Sequence, residues 1–255
     1  MSKASLQNKI IVVTQPEPEN KTFQNNLSQE GATVYTFPTI KIMENLLDEK
    51  IDKILENIAS YDWIIFTSVK GVTSFMHILE KLKINKNILR NKKIGAVGPR
   101  TAYKIQSYGL SVQFIPKTYT SEYLAKEIKD ITHKKILLAR SDIAPKKLIR
   151  DLERKKGIVT DIPTYKTRYI TTSDLIFEKM IKTDKIDFIT FTSPSTVQGF
   201  FKRIINEEVR NKLYTIPVLC IGPVTKKATE KFGFKYIFTP DTYTTDGMIK
   251  KLQDL

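Results

Sequence analysis

Tyr165 stands at the centre of Pro163-Thr164-Tyr165-Lys166-Thr167. An earlier stretch, Pro38-Thr39-Ile40-Lys41-Ile42, repeats the pattern 125 positions before it, with Ile40 in the tyrosine's place. Both stretches follow a short strand-like run. A phenol in only one of two matched connections is a candidate proton or hydrogen-bond donor. The competing reading is an ordinary, half-buried strand tyrosine. A second set of chemically useful residues lies just past apolar strand-like runs: Thr67-Ser68, Gly98-Pro99-Arg100-Thr101, Thr118 to Ser121, Thr192-Ser193, Gly222 to Thr225 and Thr242 to Thr245. Hydroxyls and free backbone N–H groups at helix starts bind anions without needing a cation. The same Ser and Thr residues also serve as ordinary helix N-caps.

Other chemistries find little support. His77 and His133 are the only histidines and read as surface residues, and no zinc-spaced cluster exists. Gly98 and Gly222 belong to no nucleotide-binding fingerprint. Cys220, the only cysteine, and Trp63, the only tryptophan, read as core residues. One cysteine allows no internal disulfide, which points to a reducing compartment. Met1 to Lys9 lacks the apolar segment of a secretory signal, and runs such as Trp63 to Phe66 fall far short of the ~20 residues of a membrane helix. The expectation is a cytoplasmic protein with no membrane partner. The formal charge of +15 attracts anions, whether small polyanions, acidic lipid or nucleic acid, but the lysines are scattered rather than massed.

These residues are positioned by alternating elements. Ile10 to Val13, Ala32 to Phe37, Asp62 to Ser68, Ile94 to Gly98, Val112 to Ile115, Ile136 to Ala139 and Val159 to Ile162 read as strands. Helical patterns occupy 20–30, a stretch through Leu46, Ile51, Ile54, Leu55 and Ile58, then 70–82, 99 to about 109, 121–131 and 145–155. Strands with almost no polar alternation, between helices, predict a mostly parallel sheet covered on both faces. The second half repeats the first: Asp187 to Ser193 matches Asp62 to Ser68, Ile221 to Thr225 matches Val97 to Thr101, and Pro240-Asp241-Thr242-Tyr243-Thr244 matches Pro116-Lys117-Thr118-Tyr119-Thr120, at offsets of 124 or 125. A period this long predicts two similar α/β lobes, not a solenoid. The cut between them is either a simple split near residue 130 or a discontinuous arrangement. In the second, preferred arrangement, residues 1–38 join 169–255, residues 41–163 form the other lobe, and 38–42 and 163–168 are the crossings.

Five motifs, Ile65-Phe66-Thr67-Ser68, Val97-Gly98-Pro99-Arg100-Thr101-Ala102, Ile162-Pro163-Thr164-Tyr165-Lys166-Thr167, Phe191-Thr192-Ser193-Pro194-Ser195 and Ile221-Gly222-Pro223-Val224-Thr225, occur in an order and spacing that resemble uroporphyrinogen-III synthase over nearly the whole chain. The resemblance implies two lobes joined by a two-stranded connection, with the active site in the cleft between them and the discontinuous cut. It implies a cofactor-free and metal-free lyase of heme biosynthesis, acting on the small-molecule substrate hydroxymethylbilane. Carried over by motif, Tyr165 is the residue that assists departure of the substrate hydroxyl. Thr101, Thr225, Ser68 and Ser193 are assigned to substrate carboxylates, with Lys70, Arg100 and Arg140 as looser candidates. Gln15 stands where many members of the family carry an arginine, so the contact at that corner has no charge. The expected state is a monomer. Two rivals differ in class: a two-lobed protein that binds a small polyanion without chemistry, and a nucleic-acid binder, which needs basic residues and stacking aromatics on one face.

Overall fold

The structure is a computed structural model that describes residues 6–45 and 48–255. Met1 to Ser5, from the N-terminal reading, and Leu46, from the helical pattern, lie outside the described residues. The chain runs β1 (Ile10–Val13), α1 (Lys21–Gln29), β2 (Thr33–Thr36), β3 (Ile40–Glu44), α2 (Glu49–Glu56), β4 (Trp63–Phe66), α3 (Val69–Lys81), β5 (Lys93–Ala96), α4 (Pro99–Gln106), α5 (Ser121–Glu127), β6 (Lys135–Ser141) and α6 (Lys147–Arg154). It continues through β7 (Ile158–Tyr169), α7 (Leu175–Lys182), β8 (Phe188–Phe191), α8 (Pro194–Arg203), α9 (Glu207–Leu213), β9 (Val218–Cys220), α10 (Pro223–Glu230), β10 (Ile237–Phe238) and α11 (Thr245–Gln253).

Two compact units result. One contains the described residues up to Ile42 together with Arg168–Leu255, and the other contains Met43–Thr167. The first holds a five-stranded sheet in the order β10-β9-β8-β1-β2, and the second sheet runs β3-β7-β6-β4-β5. The chain passes between units within β3 and β7, which are hydrogen-bonded neighbours.

Burial on both faces explains the apolar strands. In β4, Ile64 and Phe66 face one core cluster while Trp63 and Ile65 face the other. In β6, Leu137 and Ala139 divide from Ile136 and Leu138 in the same way. The first unit repeats the scheme, with Val12, Ile189, Phe191 and Cys220 on one side of the sheet and Ile11, Val13, Phe188 and Leu219 on the other. Side chains alternate with period two, so a strand covered on both sides needs apolar residues throughout. The registered pairs β4–β5, β4–β6, β6–β7, β1–β2, β1–β8, β8–β9 and β9–β10 are all parallel.

Three local expectations differ from the structure. Val112 to Ile115 forms only an isolated bridge, Gly95 to Phe114. The side-chain oxygen of Gln113 takes the Ile94 N–H at 2.6 Å, the group a longer ladder needs. The helix expected over 121–131 stops at Glu127, because Ile128 is extended and Asp130 is left-handed at φ 55°. The strand read as Val159 to Ile162 does not stop before Pro163 but continues to Tyr169, absorbing the proline where the ladder is irregular.

Candidate functional site

Strand tips followed by helix starts carry most of the residues singled out in the sequence. In the Met43–Thr167 unit, Ser68 lies two residues past β4 and caps α3. Its backbone is extended, at φ −161° and ψ 156°, and its Oγ accepts the Gly71 N–H at 3.0 Å. The same Oγ lies 3.1 Å from the phenolic oxygen of Tyr165. Having accepted Gly71, the Ser68 hydroxyl has its own proton to offer the phenol, which leaves the phenolic proton for a third group.

A bulge aims Tyr165. The β6–β7 register pairs Arg140 with Pro163 but Ser141 with Tyr165, so Thr164 is an extra residue on β7. In an unshifted ladder Thr164, not Tyr165, would stand opposite Ser141. Inserting one residue re-aims the side chains that follow. Asn45 holds the bulge: its N–H donates to the Thr164 carbonyl at 3.1 Å and its Nδ2 to the Pro163 carbonyl at 3.0 Å. On the other side, the Asp142 N–H donates to the Tyr165 carbonyl at 3.2 Å, and Asp142 Oδ1 accepts the Thr167 N–H at 2.8 Å. Ser141 Oγ meets Thr167 Oγ1 at 2.9 Å. Burial raises the Tyr165 pKa and the Asp142 charge adds to the rise, against hydrogen bonds from Ser68 and Ser141. The phenol is therefore protonated at neutral pH, as a proton donor must be.

The matched place in the other unit has no such group. Ile40 is buried there, and Ser193, which caps α8, spends its hydroxyl on the Thr196 N–H at 3.2 Å and on Ser195 Oγ at 2.9 Å. Thr101 and Thr225 occupy the same position in α4 and α10, and both are buried. These two helices start from Gly98 and Gly222, neither of which supplies a side-chain cap. Their first N–H groups are thus offered to an incoming acceptor. Arg100 is exposed on the first turn of α4.

The structure corrects the assignment of Arg140 to substrate. Only 2% of it is exposed. Its Nε and Nη2 grip the Asp161 carboxylate at 2.6 and 3.0 Å, and its Nη1 donates to the Pro145 carbonyl at 2.8 Å. A guanidinium held in this way braces β6 against β7 and has no fork left for a ligand. Lys70 is also committed in part: its Nζ lies 3.2 Å from Glu44, whose other oxygen meets His77 Nδ1 at 2.9 Å. Burial opposes ionisation of Glu44, but hydrogen bonds from His77 and Lys70 outweigh it and hold the pKa below the usual carboxylate value. Gln15, just past β1, keeps its Oε1 buried without a hydrogen-bond partner among the described residues. Cys220 is buried against Thr229, and burial pushes its thiol up to about 11, which leaves it unreactive. Among the described residues no three His, Cys, Asp or Glu side chains gather in a metal-binding arrangement, and no helix is long and apolar enough to cross a membrane.

Sequence reasoning missed Asn45, Ser141 and Asp142. The only local signal was a polar pair directly after the buried run Ile136 to Arg140, which reads as a turn. Ser68→Ala is expected to lower stability by about 1 kcal/mol through loss of the cap. Ser68 and Tyr165 are in direct contact, so Ser68→Ala and Tyr165→Phe together should cost less stability than the sum of the two single changes. Urea unfolding of the single and double variants measures both effects, and full additivity would show that the two hydroxyls are not coupled.

Comparison with known proteins follows the same strand-tip motifs. The family model described as Uroporphyrinogen-III synthase HemD matches residues 21–250. A Methanocaldococcus jannaschii protein named putative uroporphyrinogen-III synthase is 32% identical, covering 96% of this chain and 98% of that one. The porphyrin biosynthesis protein HemD of Ruminiclostridium josui is 31% identical over 96% of this chain, which spans 48% of that protein's length. Among solved structures, a mutant Thermus thermophilus uroporphyrinogen III synthase superposes with a TM-score of 0.75, covering 96% of this chain and 98% of its own at 17% identity. The Helicobacter pylori uroporphyrinogen-III synthetase gives 0.59, covering 96% and 99% at 17% identity. These two likenesses are of fold.

Proposed function

This chain belongs to the uroporphyrinogen-III synthase family, and from that premise we propose that it converts hydroxymethylbilane into uroporphyrinogen III. The observation that carries the reading is the protonated phenol of Tyr165 set 3.1 Å from Ser68. The Tyr165 proton passes to the hydroxymethyl oxygen on ring A, at the opposite end of the linear chain from ring D, the C–O bond breaks, and water leaves. The substituted α-carbon of ring D attacks the cationic carbon that remains to give a spiro intermediate. The bond from ring D to its old bridge carbon then breaks. That bridge carbon is recaptured by the free α-carbon of ring D, which inverts the ring and closes the macrocycle. The proton released from the ring carbon on closure balances the one Tyr165 gave. Every step is proton transfer and positioning, performed by side chains and backbone N–H groups.

Substrate carboxylates are assigned to the hydroxyls and helix starts at Ser68, Thr101, Ser193 and Thr225, with Arg100 next to Thr101 in sequence. Lys70 contributes only the charge that Glu44 leaves to it, and Arg140 is outside the set. Each helix start favours a carboxylate by about 0.3–1 kcal/mol, and several on one ligand accumulate. The excess of positive charge on the chain, +15, favours the same acidic substrate. The reading places the enzyme in the cytoplasm as a monomer. Ring closure without an enzyme is facile and keeps ring D uninverted, so control of the isomer is the activity itself. Incubation with hydroxymethylbilane, oxidation and chromatographic separation of the uroporphyrin isomers is expected to give mainly type III. Type I alone would refute the reading and leave a binder of polyanions.

A further inference from the structure

Glu44, the last residue of β3, is gripped from one face of α3. Its Oε1 accepts from Lys70 Nζ at 3.2 Å and from Ser74 Oγ at 3.5 Å, and its Oε2 meets His77 Nδ1 at 2.9 Å. Lys70, Ser74 and His77 follow one another at helical spacing, so they share one stripe of α3. Ser74 is fully buried, and only 21% of the Glu44 side chain is exposed. Three donors from one helix face thus converge on the carboxylate at the end of a strand.

Both ends of this grip lead to Tyr165. The residue after Glu44 is Asn45, which is buried and holds the bulge of β7 through the Thr164 and Pro163 carbonyls. The peptide between Glu44 and Asn45 is planar and stiff, so a displacement of one is passed to the other. At the other end, α3 begins at Ser68, whose Oγ lies 3.1 Å from the phenolic oxygen of Tyr165. The contacts therefore close on themselves: Glu44 to α3, the α3 cap to the phenol, and Asn45 to the bulge that carries the phenol. Every link lies inside the Met43–Thr167 unit. A second ion pair of the same helix, Lys81 with Asp52 at 3.6 Å, ties α3 to α2 rather than to β3.

We propose that Glu44 is a positioning residue: held by Lys70, Ser74 and His77, it fixes Asn45 and through it the bulge that sets the Tyr165 phenol against Ser68. The kinetic side of the proposal rests on the reading of Tyr165 as the proton donor, whereas the placement of the phenol is independent of any reaction. A donor moved off its working position transfers its proton more slowly, while groups that only bind substrate are unaffected.

The test is fluorine NMR of the protein with 3-fluorotyrosine in place of Tyr165, alongside steady-state kinetics of the unlabelled variants with hydroxymethylbilane. Glu44→Ala should shift or broaden the fluorine line and lower kcat by about ten-fold without raising KM. Glu44→Gln, whose amide accepts from Lys70 and donates to His77, should restore the parental line and most of the turnover. His77→Ala leaves the Lys70 contact in place; it should give the same changes at smaller size, and it carries the test if Glu44→Ala does not fold. Asp52→Asn removes the other ion pair of α3 and should leave both the line and kcat as in the parent. Adding Glu44→Ala to Tyr165→Phe should lower kcat little further, because Glu44 acts through the phenol. A parental line and parental kcat in Glu44→Ala overturn the proposal. So do equal losses in Glu44→Ala and Asp52→Asn, which would show a general stabilising role, and a ten-fold loss that persists in the Tyr165→Phe background. If the parent makes only type I isomer but Glu44→Ala still moves the fluorine line, the reaction reading falls and the positioning of the phenol stands.

Discussion

Tyr165→Phe is expected to lower kcat by about 100-fold, the scale on which a positioned acid contributes. The change removes one oxygen and keeps the ring, the bulge and the strand. Ser68 still accepts the Gly71 N–H; its own hydroxyl proton loses the phenol as acceptor, but the residue is only partly buried, so the loss of stability is about 1 kcal/mol. In the proposed reaction the interaction deleted strengthens only as the C–O bond of the substrate breaks. KM should therefore move little while kcat and kcat/KM fall together. Single-turnover measurement of water loss from hydroxymethylbilane, with the isomer ratio read at the end, checks the chemistry rather than product release. The proposed role of the phenol precedes inversion of ring D, so the slowed enzyme should still direct its product to type III. Parental turnover in the Phe variant would remove Tyr165 from the mechanism. Full activity lost together with folding would show that the hydroxyl is structural.

The sequence speaks clearly where a residue's neighbours along the chain decide its place. Trp63 to Phe66 and Phe188 to Phe191 are apolar at every position because both faces of each strand are covered, and that pattern is visible in one dimension. Ser68 and Ser193 follow those runs and cap the next helix, as their position predicts. The sequence is silent where a partner comes from far along the chain. Arg140 looks like a cation at a strand tip, but Asp161, twenty-one residues later, takes both prongs of its guanidinium. The bulge at Thr164 depends on Asn45, which no local rule connects to it. Val112 to Ile115 has strand composition, and a side-chain oxygen, that of Gln113, decides against a full strand. Thus the supports of Tyr165 are legible only in space, although the tyrosine itself is conspicuous in the sequence.

Asp161→Asn should be the most destabilising of the changes near this site, at about 3 kcal/mol, because it strands a buried guanidinium. Arg140 is almost wholly buried, and the Asp161 side chain is 18% exposed, so little water is available to replace the lost charge. Lys146, which also binds Asp161 at 2.7 Å, is largely exposed and simply returns to solvent. Removing both buried partners should cost less: an Arg140→Met, Asp161→Leu double variant leaves no unpaired charge and should recover much of the loss. The pH dependence has a definite sign. Burial opposes ionisation of Asp161, but hydrogen bonds and charge from Arg140 and Lys146 outweigh it and hold the folded pKa below the ordinary value. A depressed carboxylate pKa stabilises the folded state above the unfolded value of about 3.9, and that contribution disappears as pH falls through the folded pKa. The parent and Asp161→Asn should therefore differ most at neutral pH and converge in acid, as the parent carboxyl takes up its proton. Urea unfolding from pH 7 down to pH 3 measures the gap. A constant gap would show that the pair does not act through charge, and an Asn variant as stable as the parent at pH 7 would dismiss the brace. The functional consequence follows from the register: Arg140 pairs with Pro163 immediately before the bulge that aims Tyr165. Loosening that corner should lower kcat even at temperatures where the variant is folded, because Tyr165 must be held to within fractions of an ångström of its working position.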